Sequence, residues 1–490
     1  MINPHSNNRH KNSATETDIL QMNNTMKHIH LIAICGTAMG SIAAMLKSQG
    51  YHITGSDEHV YPPMSTFLEE QGIHIYHGFD EKNLQPHPDL VIIGNAMSRG
   101  NPEVEYVLEN KIPYTSLPLA IKDFFIRGKH SIVVSGTHGK TTTSALIAWM
   151  LEVAGKKPNF LIGGIPLNFN QGFKIDFGDI FVVEGDEYDS AFFDKGPKFF
   201  HYMPDIVVLN NIEFDHADIY DNLDQIKLAF RRLINLIPRN GLLIACGDDP
   251  NVTELIPRAF SPVQTFGLSD NNFWQATNIE YTPNSTSFDV MKENSFWGRF
   301  TIPLSGDHNI RNATAAIAVA DFHNITKDQI QKSLSGFKSI KKRLEIRAEI
   351  DDITIYDDFA HHPTEVRTTV DGLKHQFPNR RLWAVYEPRT STAKRKSMEA
   401  LYTDAFDNAD ITIFAPLHLP DKVKAEERLS VENVISNIQR KHKKAYIFKS
   451  VEDIIEYIVN HVQSNDIVLI MSNGAFGGIH DLLIERLSSR

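Results

Sequence analysis

Cysteine is scarce in this chain: two in 490 residues, Cys35 and Cys246, far apart in sequence. That excludes a disulfide framework and fits a reducing compartment, so a cytoplasmic location is expected. Long apolar runs are also missing. No stretch approaches the roughly 18 apolar residues of a spanning helix, so no membrane insertion is expected. Positive charge is in deficit, with 49 Lys and Arg against 60 Asp and Glu and a net charge of −11. This argues against nucleic acid or an anionic membrane as the main partner, while leaving room for a local basic site. Residues 1–26 are rich in Asn, His, Ser and Thr and have no apolar core; they read as a disordered tail rather than a signal peptide. Internal repeats and low-complexity tracts beyond that tail are absent too. What remains is an ordinary globular chain, 42% hydrophobic and long enough for about three domains.

The densest local signal is GTHGKTTT, Gly136 to Thr143. An apolar strand, Ser131 to Val134, enters a glycine turn, and a helix leaves it over Thr141 to Val153, stopping near Gly155. Glycines let backbone N–H groups converge on phosphate oxygens, and the helix N-terminus adds partial positive charge. Lys140 is placed to reach the β- and γ-phosphates, and the Thr141 hydroxyl to hold Mg²⁺. The chain is therefore expected to bind ATP or a close relative. The loop is a variant, since Val134 stands where the usual pattern has its first glycine.

Around this loop the chain alternates short apolar strands with helices, an α/β pattern. His28 to Ile34, Tyr51 to Thr54 and Asp89 to Gly94 read as strands of a first, Rossmann-like domain, with a turn at Gly36 to Gly40 and a helix over Ser41 to Gln49. Asp123 to Lys129 reads as a linker. The second series includes strands at Asp179 to Val183 and Asp205 to Leu209, an antiparallel stretch over Phe273 to Phe300, and an alanine-rich helix over Arg311 to Phe322. After a basic hinge, Lys338 to Arg343, a third series has strands near Ile353 to Tyr356, Leu382 to Tyr386, Ile411 to Phe414, Ala445 to Phe448 and Ile467 to Met471. The expected division is a tail over 1–26, a Rossmann-like domain over 27–128, an ATP-binding domain over 129–338 and a third α/β domain over 339–490.

Ligands of open α/β sheets sit at the carboxyl ends of strands. Thr141, Glu184 (from EGDE) and His216 (from NIEFDH) each follow such a strand and can converge on one metal. Hydroxyl and carboxylate suit Mg²⁺; histidine is the less usual ligand. The first-domain turn does not match GxGxxG, so Gly36 and Gly40 are equally consistent with close strand–helix packing. Asp57 stands where dinucleotide folds place a ribose-binding acid. In the third domain, Asp357 to Pro363 opens a helix, Arg389 is a candidate carboxylate or phosphate clamp, and the glycines of Ser472 to Gly478 allow close approach of a ligand. Each of these also reads as plain loop chemistry.

Together these segments resemble the Mur ligase family, the ATP-dependent amide ligases of peptidoglycan synthesis. The resemblance rests on GTHGKTTT, EGDEYD (Glu184 to Asp189), NIEFDH (Asn211 to His216), GDHNIRNATAAIA (Gly306 to Ala318) and the KKR before Leu344. DDFAHHPTE (Asp357 to Glu365) is similar to the muramate-accepting branch. YEPRTSTAK (Tyr386 to Lys394), MSNGAFGGIH (Met471 to His480), CGTAMG and YPPMST (Tyr61 to Thr66) are similar to the members that recycle cell-wall tripeptide. The resemblance implies three α/β domains: an N-terminal Rossmann-like UDP-binding domain, a central P-loop ATPase domain and a C-terminal Rossmann-like domain. It also implies the joining of UDP-N-acetylmuramate to L-alanyl-γ-D-glutamyl-meso-diaminopimelate through an acyl phosphate, with ATP and Mg²⁺.

By the same resemblance Lys140, Glu184 and His216 would be catalytic, with Thr141, Glu184 and His216 on metal. Gly136, Thr137, His138, Gly139, Lys140, Thr141, Thr142, Asn309, Asn312, Arg343 and Asp358 would hold ATP. Gly36, Thr37, Met39, Ser56 and Asp57 would hold the UDP group, and Arg389, Asn473 and Gly474 the peptide. The chain departs from the family in its first domain, where the glycine run is thinned to Gly36 and Gly40 with Ala33 and Cys35 in the other places; the DNPR motif of another branch is also absent.

Four other readings share parts of this machinery. A UDP-N-acetylmuramate–L-alanine ligase is disfavoured by EPRTSTAK, and a folylpolyglutamate-synthase-like ligase by the extra N-terminal domain. A nucleotide-switched binding or transport ATPase would use the loop without an amine acceptor. A non-enzymatic nucleotide sensor leaves Glu184 and His216 without a task.

Overall fold

A computed structural model describes residues 27–490, so the proposed tail lies outside the described residues. Contacts divide the described chain into two compact units: residues 27–120 with 190–195, and residues 121–189 with 196–490.

The first unit is built on a five-stranded parallel sheet in the spatial order His74–His77, His52–Asp57, His28–Ile32, Leu90–Ile93, Tyr114–Ser116. The earliest strand is central and the chain winds outward on both sides, the Rossmann-like arrangement. The sheet's apolar run needs cover on both faces. Ile32, Val91, Ile93, Val104 and Val107 supply one such core. The helix expected from Ser41 begins at Thr37, because the segment after Gly36 already turns helically. The second strand runs on through Gly55 and Ser56 to Asp57, three residues further than the sequence suggested. The stretch expected as a linker is instead helical: Lys122–Ile126 forms a π-turn, since Phe125 and Ile126 are drawn into the core.

The second unit carries two sheets. One has ten strands, with His130–Ser135 between Ile206–Leu209 and Ile180–Gly185. Its far end is an antiparallel meander, Trp274–Thr282, Ser285–Lys292 and Ser295–Ile302, which joins the parallel strands at Val263–Gly267. The other sheet has six strands, parallel except for the edge strand Glu345–Ile350. Separate cores cover its two faces. The alanine-rich helix Asp307–Phe322 packs beside Lys140–Val153; small buried side chains, Ala145 and Ala148 on one and Ala313 and Ala316 on the other, permit the approach. Besides these three large sheets there is a two-stranded one, Asp189–Ala191 with Asp194–Pro197; the α/β fold class is the one expected.

Candidate functional site

The phosphate loop stands at the carboxyl end of a central strand, His130–Ser135, buried from Ser131 onward. Two glycines shape it. Gly136 has φ +128 and Gly139 φ +80, left-handed values, and a Cβ on Gly139 would lie 2.6 Å from Asn312 Oδ1. The loop is stitched to the next strand's loop: Thr137 N donates to Asn211 O at 3.0 Å and His138 N to Asn211 Oδ1 at 2.7 Å. Helix Lys140–Val153 then starts without a side-chain cap, which leaves its first amides for an anion.

At the start of this helix the Thr141 hydroxyl donates to Glu184 Oε2 at 3.1 Å, while Glu184 Oε1 accepts from Gly163 N at 2.6 Å. Burial, then the neighbouring Asp186, push the Glu184 carboxyl up to about 7. Lys140 Nζ donates to Gly136 O at 2.8 Å and to Glu187 Oε2 at 3.1 Å. His216, at φ +51, faces Glu187 Oε1 with its Nε2 at 3.3 Å. Glu187, only 2% exposed, therefore bridges Lys140 and His216. The sequence reading passed over it, although it is the third acid of a strand-end run that also holds Glu184.

A cavity of about 360 Å³ opens beside the loop, lined by His138, Gly139, Thr142, Asn309, Asn312, Arg343 and Asp358 among others. Seven residues expected at a nucleotide are thus brought together from four chain segments. Gly136, Thr137, Lys140 and Thr141 lie along the adjoining loop. Asn312 Oδ1 accepts from Thr143 Oγ1 at 3.1 Å, and Asn309 Nδ2 donates to Ser305 O at 2.8 Å. Burial pushes Asp358 up to about 6 against the pull of Arg343 and two amides. The wall opposite the loop comes from the third domain: Thr364 Oγ1 donates to Glu213 Oε2 at 2.6 Å and Ser305 Oγ to Gly372 O at 3.0 Å. Glu213, Glu365 and the Asp248–Arg311 pair belong to this lining and were not anticipated. Burial opposes charge on His138, but Glu213 and Glu365 outweigh it and push the imidazole up to about 10.

The residues expected at a peptide also meet. Strands Arg381–Tyr386 and Asp466–Met471 are neighbours, so the loops after them adjoin. Arg389 lies against Gly474, whose added Cβ would stand 2.5 Å from the guanidinium. Arg389 faces Glu387 at 3.6 Å, and Ser472 Oγ donates to Glu387 at 2.5 Å. Asn473 Oδ1 is buried without a partner.

In the first unit Gly36 and Thr37 are exposed at the helix start, and Met39 is buried. Asp57 Oδ2 accepts from Cys35 N at 2.9 Å, closing the turn. Ser56 is fully buried inside its strand, and its hydroxyl donates to buried Glu103. Its side chain is therefore occupied on the buried side of the sheet.

Three family models match in order: Mur ligase family, catalytic domain, over residues 28–128; Mur ligase middle domain over 134–320; and Mur ligase, glutamate ligase domain, over 342–474. The chain belongs to the Mur ligase family. This Mur ligase is 42% identical over 463 residues (94% of this chain, 99% of the relative) to the UDP-N-acetylmuramate–L-alanyl-γ-D-glutamyl-meso-2,6-diaminoheptandioate ligase of Haemophilus influenzae. It is 33% identical over 461 residues, covering 94% of this chain and 98% of the relative, to the UDP-N-acetylmuramate–L-alanine ligase of Clostridium tetani. Among solved structures, a murein peptide ligase from Psychrobacter arcticus superposes with TM-score 0.69 at 37% identity, covering 95% of this chain and 99% of that one. Among the described residues of this Mur ligase, no helix is long and apolar enough to cross a membrane.

Proposed function

We propose that this Mur ligase joins UDP-N-acetylmuramate to L-alanyl-γ-D-glutamyl-meso-diaminopimelate in peptidoglycan recycling, at the expense of ATP. The observation that carries this reading is the 42% identity to a ligase of that name across nearly the whole of both chains, against 33% to an alanine ligase.

A carboxylate is a poor electrophile, so a muramate carboxylate oxygen first attacks the γ-phosphorus of ATP, forming an acyl phosphate and releasing ADP; the peptide's free α-amine then attacks the acyl carbon, loses its proton and expels phosphate. Lys140 offsets charge on the transferring phosphoryl group, and the free amides at its helix start orient the phosphates. Glu187 keeps the Lys140 ammonium aimed, through their 3.1 Å contact. Thr141 and Glu184 fit Mg²⁺: both are hard oxygen donors, 3.1 Å apart, at the N-terminus of the phosphate-loop helix. Bound there, Mg²⁺ would supply positive charge to the phosphate oxygens; His216 is its third candidate ligand. Asn309, Asn312, Arg343 and Asp358 would line the nucleoside, and Gly36, Thr37, Met39 and Asp57 the UDP group, with Ser56 behind them, its hydroxyl taken by Glu103. Arg389 would clamp a peptide carboxylate, with Asn473 and Gly474 beside it. Domain limits at 27–128, 129–338 and 339–490 and a cytoplasmic location, where ATP is available, complete the proposal.

Product mass spectrometry tests it. The protein is given ATP, Mg²⁺ and UDP-N-acetylmuramate with free L-alanine and the tripeptide in competition. The expected product is UDP-muramyl-tripeptide. UDP-muramyl-alanine would overturn the acceptor, and ATP consumption without an amide would overturn the ligase reading.

A further inference from the structure

Three segments meet at the edge of the nucleotide cavity. The phosphate loop brings His138, the loop after Ile206–Leu209 brings Glu213, and the N-cap of helix Pro363–Gln376 is His362. Nε2 of His138 and Nδ1 of His362 each stand 3.4 Å from Oε2 of Glu213. One ligand atom from each residue lies within 4.8 Å of the other two. His138 Nε2 is buried and has no hydrogen-bond partner, so its approach to Glu213 is not an aligned hydrogen bond. A buried imidazole nitrogen left in this way is costly, and it marks a place where a further group belongs.

We propose that His138, Glu213 and His362 form a site for a divalent transition metal of the zinc type, separate from the Thr141–Glu184 pair. For metal bonds of about 2.0–2.1 Å, the edge of a tetrahedron is about 3.3 Å. Both nitrogen–oxygen separations, 3.4 Å, match that edge. Two imidazoles and one carboxylate suit zinc, whereas Mg²⁺ prefers oxygen alone.

The surroundings orient these ligands in the manner of known zinc centres. Nδ1 of His138 faces Glu365 Oε1 at 3.3 Å, so a proton held there leaves the Nε2 lone pair free. Thr364 Oγ1 donates to Glu213 Oε2 at 2.6 Å. His362 Nδ1 accepts one long cap bond, 3.3 Å, from Thr364 N, which the metal would replace. His138 and Glu213 both line the cavity, so water or a phosphate oxygen has access to the remaining position. Ligands from both sides of the cavity mean that the metal ties the phosphate loop to the third domain. The competing state is a protonated His138 held by Glu213 and Glu365 with no metal.

The test uses the full chain, stripped by a chelator and titrated with Co²⁺ in excess Mg²⁺, which occupies the Thr141–Glu184 pair. The expected result is one Co²⁺ per chain with the intense visible bands of tetrahedral coordination, displaced by Zn²⁺. Glu213→Gln and His362→Ala should weaken that binding by at least about 10–100-fold, while Glu184→Gln leaves the bands in place. Absence of tetrahedral bands, or bands that survive Glu213→Gln, would overturn the proposal. Should the variants not fold, X-ray absorption of the zinc-loaded wild type decides: two imidazoles and a carboxylate are expected, and a shell without two imidazoles overturns it.

Discussion

Glu184 is the residue on which the proposed chemistry leans most. Burial pushes its carboxyl up to about 7, so a cation beside it is what keeps it ionised at neutral pH. Glu184→Gln keeps the shape and removes the charge. The expected outcome is a fall in kcat of about 10²–10³-fold with an unchanged circular dichroism spectrum, and excess Mg²⁺ should not restore it; near-wild-type kcat would remove Glu184 from the site. Asp248 makes a different kind of contribution. Its carboxylate accepts from Leu268 N at 2.7 Å, Ser269 N at 3.1 Å, Asn272 Nδ2 at 3.0 Å and Arg311 Nε at 2.9 Å. Burial opposes the charge, but Arg311 and the amides hold the pKa down at about 2. A depressed carboxylate stabilises the fold above its unfolded value of about 4, and that stability is lost as the pH falls through the folded value. Asp248→Asn should cost about 1.5–3 kcal/mol at neutral pH. In urea titrations its gap from the wild type should close between about pH 4 and pH 2; a gap independent of pH would refute the charge argument. The sequence pointed to Glu184 because a strand leads straight into it. Asp248 and Glu187 escaped notice because their partners, Arg311 and His216, are remote in sequence.

At the scale of elements, local signals succeed where they do not compete with packing. Helix Lys327–Ser335 opens with a capping box: Thr326 Oγ1 accepts from Gln329 N at 3.3 Å, and Gln329 Oε1 accepts from Thr326 N at 3.1 Å. Thr326→Ala should lower stability by about 1 kcal/mol and leave ligation unaltered, as read by denaturant midpoint and product formation. No change in the midpoint would mean that packing of Ile330 and Leu334 alone holds this helix. The helices expected from Ser41 and Arg311 begin four residues earlier, at Thr37 and Asp307. Glycine marks the boundary there, and the residues after it already have helical geometry. The π-turn Lys122–Ile126 replaces the expected linker for a tertiary reason, the burial of Phe125 and Ile126.

Under the proposed function UDP-N-acetylmuramate belongs to the first compact unit and ATP to the second, so each unit should respond to its own ligand. A ligand at about 100 times its dissociation constant stabilises what it binds by about 2.7 kcal/mol. In hydrogen exchange, UDP-N-acetylmuramate should slow amides of the five-stranded sheet, residues 28–116, and an ATP analogue with Mg²⁺ those around 130–146 and 306–322. Protection by the nucleotide confined to the first unit would contradict the placement of ATP. The third domain should share in nucleotide protection, since Thr364 and Ser305 already bond across the cavity.

The strand-to-loop order, the phosphate loop and the acids that end neighbouring strands were determined by the sequence alone, because alternation of buried strands with helices forces parallel sheets and puts loop residues at one edge. The family, too, was legible in contiguous motifs. Only the tertiary structure decided which loops face one another. It set Glu187 between Lys140 and His216, buried the Ser56 hydroxyl against Glu103, and brought His362 and Glu365 to the phosphate loop. Such pairings depend on the stacking of separate sheets, and no local pattern of side chains records which surface will meet which.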